Sequence, residues 1–69
     1  MNQNQREEIR EAITAALEKK GQMPKKDLID EVYDRLTVTQ AEIRGEWSRM
    51  KKDGLVYCVS GLPGWVGIY

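Results

Sequence analysis

Histidine and phenylalanine are absent from this chain of 69 residues, and it has a single cysteine, Cys58. Without histidine there is no Cys-His nucleophile pair and no zinc site of the common Cys/His spacing. One cysteine forms no internal disulfide, so a small buried thiol is the expectation for Cys58. Net charge is lacking too. Eleven Lys and Arg balance eleven Asp and Glu, with a pI near 6.2, so no bulk basicity draws the chain to polyanions and any binding face must be local. No apolar run approaches the roughly 20 residues that span a bilayer, and the charged first twenty residues contain no signal-peptide core. These absences predict a cytoplasmic protein that engages no membrane and no small-molecule substrate. An enzyme is not expected either. The carboxylates of Asp27, Asp30, Glu31 and Asp34 are scattered along one helix surface without a pocket, and neither a cofactor nor a metal site is foreseen.

Hydrophobic residues make up 41% and charged residues 32%, a balance that folds rather than one that stays disordered. A single domain over 1–69 follows from the length. The charges cluster: Lys19, Lys20, Lys25 and Lys26 are positive, Asp27, Asp30, Glu31 and Asp34 negative, and Arg44, Arg49, Lys51 and Lys52 positive again.

Ile9, Ala12, Ile13, Ala16 and Leu17 recur with helical spacing and predict a first helix over about 4–20, behind a few frayed residues. Glu7, Glu8 and Glu11 towards its start and Lys19 and Lys20 at its end complement the helix dipole, and Gly21 stops it. Pro24 is suited to the first turn of a second helix over about 24–36. There Leu28, Ile29, Val32 and Leu36 form the stripe, and Tyr33 is expected to cover the edge of the core.

The third helix, about 40–53, has the most explicit signals. Thr39 and Glu42 stand at capping-box spacing, Val38 and Ile43 at hydrophobic-staple spacing, and Gly54 closes the last turn. Ile43, Trp47 and Met50 fall on one side, with Ala41, Gly45, Ser48 and Lys52 opposite, flanked by Arg44 and Arg49. Small residues bordered by long cationic ones suit a helix that enters a DNA major groove: Arg and Gln reach base edges and Lys reaches phosphates. Gly45 costs about 1 kcal/mol in a helix interior relative to Ala. Close approach of another surface would explain it, and so would simple tolerance. Lys25 and Lys26, at the start of the second helix, fit phosphate contact.

The β-prone runs 55–59 and 65–69 predict a hairpin of about fourteen residues turning at Pro63-Gly64, a pair suited to the centre of a type II turn. It carries no Lys or Arg, and its tip presents Leu62 with Trp65 beside it. Either the two form an apolar contact surface, or Trp65 folds back and only Leu62 is exposed.

The order helix, helix, capped helix and hairpin, with Thr39-Gln40-Ala41-Glu42-Ile43-Arg44, Trp47-Ser48-Arg49-Met50 and Lys52-Asp53-Gly54-Leu55-Val56, resembles winged helix-turn-helix transcriptional regulators. The resemblance implies an α+β winged helix: a three-helix bundle with a C-terminal β-hairpin wing and a short strand near Gln22-Met23 beside it. It further implies double-stranded DNA as partner, with Gln40, Arg44, Ser48 and Arg49 facing bases and Thr39, Lys25, Lys51 and Lys52 facing phosphates. No dimerisation helix follows Tyr69 in this sequence, so the protein would dimerise through the first helix or the wing, or act as a monomer. The alternative is a winged-helix protein-interaction module that never touches nucleic acid and uses Leu62 and Trp65.

Overall fold

A computed structural model describes residues 3–69. The expected fraying of the first few residues falls partly on Met1 and Asn2, which lie outside the described residues; α1 is helical from its first described residue and spans Gln3–Lys20. It is followed by β1 (Gln22–Pro24), α2 (Lys25–Arg35), α3 (Gln40–Lys52), β2 (Val56–Cys58) and β3 (Trp65–Ile68). The domain is α+β, three helices and one three-stranded antiparallel sheet in the order β1-β3-β2.

The three helical stripes and the inner face of the sheet enclose one core. Ile9, Ile13, Leu17, Leu28, Val32, Ile43, Met50, Val56 and Val66 are its most deeply buried members. Strand alternation puts Val56 and Val66 inward, with Tyr57, Trp65 and Tyr69 turned outward. Gln22 and Tyr57 both register with Gly67 from opposite sides. A Cβ on Gly67 would stand 2.7 Å from the Tyr57 ring, so the glycine lets that ring lie across the strand, where it also meets Tyr69 at 4.8 Å between centroids.

The end of α3 is closed as its sequence requires. The Gly54 amide donates to the Lys51 carbonyl and the Leu55 amide to the Met50 carbonyl, the paired bonds of a Schellman motif, with Gly54 at φ +79°. At its start both halves of the capping box are present: the Glu42 amide donates to Thr39 Oγ1 at 3.1 Å, and the Thr39 amide donates to Glu42 Oε1 at 2.9 Å. The Thr39 backbone bond, and then its hydroxyl, hold the Glu42 carboxyl below its ordinary pKa. Thr39→Ala is expected to lower stability by about 1 kcal/mol, read as a lower urea midpoint at unchanged slope.

Three expectations need correction. Pro24 ends β1 and caps α2 instead of lying in its first turn, with ψ of 136°, and α2 starts at Lys25. A proline is tolerated there because β1 is an edge strand. With no side-chain cap available, the Lys25 amide donates to the Gly64 carbonyl at 2.7 Å, which ties the hairpin tip to α2. Tyr33 is 48% exposed, because its helical position falls a quarter-turn away from the centre of the α2 stripe. Cys58 is exposed: it ends β2 at an open depression between the sheet and α3, not inside the core. The hairpin itself runs from Val56 to Ile68, close to the expected length, and two successive turns occupy 59–64, closed by bonds from Leu62 to Val59 and from Trp65 to Leu62. Pro63 and Gly64 are the central residues of the second, with Gly64 at φ +82°. Both Leu62 and Trp65 are exposed.

Candidate functional site

Buried on one side, α3 leaves Ala41, Gly45, Ser48 and Lys52 along the other. Lys25, Trp47, Ser48, Lys51, Lys52 and Cys58 line an open depression of about 440 Å³ between this helix, the start of α2 and the end of β2. Lys25, Lys26, Ile29 and Arg44 line an adjoining one of about 230 Å³. Lys25 is shared, so the two make one continuous cationic surface. Its ammonium sits 5.8 Å from the centre of the Trp47 ring, whose electron-rich face attracts it. Four ammonium groups, one guanidinium and the Ser48 hydroxyl thus face outward together. The surface therefore presents concentrated positive charge over two adjoining depressions.

The outer face of α1 has the opposite sign. Glu7, Glu11 and Glu18, with Arg10 among them, rim a depression of about 410 Å³ over Thr14 and Ala15.

Among the sequence-predicted residues, Lys25, Lys26, Arg44, Ser48, Lys51 and Lys52 are brought together on the cationic surface. Gln40 is exposed in the first turn of α3, on the same edge of the helix as Arg44 and Lys51. Thr39 is drawn into the cap: its hydroxyl donates to Glu42 Oε1 at 3.0 Å and accepts the Glu42 amide. A carboxylate at that distance works against a phosphate contact by Thr39. The Lys25 amide is also engaged, by Gly64, and so is withdrawn from anion contact at the start of α2. Leu62 and Trp65 lie apart, on the hairpin.

Arg49 stands on the far edge of α3, and there the sequence reading missed a cluster. Glu46 is fully buried, yet it is flanked by three guanidinium groups. Arg10 Nε donates to its Oε2 at 2.7 Å, Arg6 Nε to its Oε1 at 3.1 Å, and Arg49 Nη1 lies 3.5 Å from Oε1. Arg10 also reaches Asp53 at 3.4 Å. Burial is the largest single influence on Glu46 and opposes its ionisation, but the hydrogen bonds from Arg10 and Arg6 outweigh it and hold the carboxyl below its ordinary pKa. The Glu46 bond in turn raises that of Arg10. A signal for this pairing was present: Glu46 falls in register with Ile43, Trp47 and Met50, and Arg6 and Arg10 stand four apart on one edge of α1.

Among the described residues no group of three or more Cys, Asp or Glu side chains is placed to hold a metal ion, and no helix is long and apolar enough to cross a membrane. Comparison of the chain with protein-family models, curated proteins and solved structures gives no match.

Proposed function

We propose that this chain is a winged-helix DNA-binding protein that docks α3 in the major groove of double-stranded DNA and acts as a transcriptional regulator. The carrying observation is the continuous surface of Lys25, Lys26, Arg44, Ser48, Lys51 and Lys52 on a protein with no net charge. Concentration of cations on one face is what a local phosphate-binding surface requires. The order α1-β1-α2-α3-β2-β3, with the hairpin directly after the exposed helix, is compatible with a winged helix. Gly45 adds support. A Cβ there would meet open space, so the isolated domain does not demand glycine, whereas a closely approaching duplex would.

The test is titration of mixed-sequence duplex DNA at low and moderate salt, with amide shifts recorded across Gln40–Lys52. Shifts concentrated there, weakening as salt rises, are expected. Replacing Lys25, Lys51 and Lys52 with alanine should lower the slope of log affinity against log salt by about 1 for each lysine–phosphate pairing removed. Absence of shifts at low salt rejects the reading. Gly45→Ala is expected to raise the stability of the free domain by about 0.5–1 kcal/mol while weakening DNA binding. Thermal melting and the same titration check the two halves separately.

A second reading is a protein-interaction module that uses the hairpin. It is favoured by the exposure of Leu55, Leu62, Trp65 and Tyr69 in a segment without a single charged side chain. Aromatic and aliphatic side chains exposed together are interface anchors. Shifts confined to residues 55–69 on adding a protein partner, with none on adding DNA, would favour this reading.

A further inference from the structure

Two arginines flank the small-residue stripe of α3, and their surroundings are not equivalent. Arg49 sits on the edge that faces α1, beside the buried Glu46 carboxylate and next to Arg6 and Arg10. Its charge is partly neutralised there, and leaving would remove one of the three cations around a carboxylate with no access to water. Arg44 sits on the other edge, is exposed, and makes no ion pair among the described residues. It shares a depression with Lys25 and Lys26, so the ammonium groups suited to phosphates border the same edge of the helix.

Resting on the DNA-binding reading above, we infer that Arg44, and not Arg49, is the base-reading arginine of α3, and that its target is a guanine presented in the major groove. The lysines at the start of α2 hold the backbone, which brings the Arg44 edge of α3 into the groove. Ala41, Gly45 and Ser48 offer no long side chain to keep the helix away, so Arg44 extends past its neighbours to the base edge. A guanidinium presents two parallel donors, and guanine alone among the bases offers the matching acceptor pair, O6 and N7, on that edge. Arg49 remains with Glu46 and supplies no base contact.

The inference is tested by selecting bound sequences from a randomised duplex library with the wild-type protein, Arg44→Ala and Arg49→Ala. Binding is then measured to the enriched duplex and to the same duplex with its preferred guanine replaced by 7-deazaguanine. Both side chains are exposed, so both variants should fold. The wild-type protein and Arg49→Ala should enrich a site with a fixed guanine and lose on the order of 10- to 100-fold in affinity on its replacement. Arg44→Ala should bind both duplexes equally while retaining salt-sensitive binding. A guanine preference that survives in Arg44→Ala, one that disappears in Arg49→Ala, or enrichment without any guanine dependence overturns the assignment while leaving DNA binding intact. No binding by the wild-type protein at low salt overturns the DNA-binding reading itself, and this assignment with it.

Discussion

Replacing Arg6 and Arg10 together with alanine is expected to lower stability by about 2–3 kcal/mol at neutral pH, a large part of the roughly 3–10 kcal/mol expected of a domain this size. Both side chains are about one-third exposed, so truncating them alone costs little buried surface. The penalty arises at Glu46, which stays fully buried while losing both hydrogen-bonded guanidinium groups and keeping only Arg49 at 3.5 Å. Solvent around the arginines and the remaining cation bring the effect to or below the lower bound of the roughly 3–5 kcal/mol that breaking a fully buried pair costs.

The pH dependence distinguishes this mechanism from a simple loss of packing. In the wild-type protein the folded-state pKa of Glu46 is depressed, so its contribution is fully present above the unfolded value and is lost as pH falls through the folded one. In the double variant burial dominates, the folded-state pKa rises above the unfolded value, and protonation favours folding. The stability difference between the two proteins should therefore be greatest at neutral pH and shrink on acidification. Urea midpoints from pH 7 to pH 3 check this; a difference independent of pH would sink it. Glu46→Leu in the double variant should restore much of the stability, because an apolar side chain needs no counter-charge.

The same cluster marks where the sequence stopped being legible. Helix positions, the cap of α3 and the Gly54 stop were readable because they are local: residues three and four apart determine them. The two β-prone runs and the turn at Pro63-Gly64 were readable for the same reason. The Glu46 cluster joins residues 36 and 40 apart in sequence, and a charge in an apolar stripe is interpretable only once its partners are known. Pro24 was misplaced for a related reason. Its conformation suits both a strand end and a helix start, and pairing with Trp65 decides between them. The exposure of Cys58 depends on the open depression between β2 and α3, a tertiary feature that residue type does not encode. For the candidate site, the side of α3 that carries Arg44 and Ser48 could be derived from periodicity, while the sharing of Lys25 between two depressions is a tertiary fact.

Ile43→Ala is expected to give the other large destabilisation, about 3 kcal/mol, seen as a fall in melting temperature of roughly 12–24 °C. Ile43 is fully buried and follows the Thr39 cap by four residues, at staple spacing from the buried Val38. Truncation leaves a cavity among side chains from all three helices, which cannot close without moving α3. Ile43→Val, which removes one methylene, should cost only about 1 kcal/mol. A ratio near unity between the two would mean that the surroundings collapse into the space. Because Ile43 points away from the cationic surface, its variants should alter how much of the protein is folded and leave the DNA affinity of the folded fraction unchanged at low temperature. The Lys51 and Lys52 variants should do the reverse, with affinity falling at constant melting temperature. If Ile43→Ala weakened binding by the folded fraction as strongly as the lysine substitutions do, then the position of α3 against α1 and α2, and not its charge alone, would govern recognition.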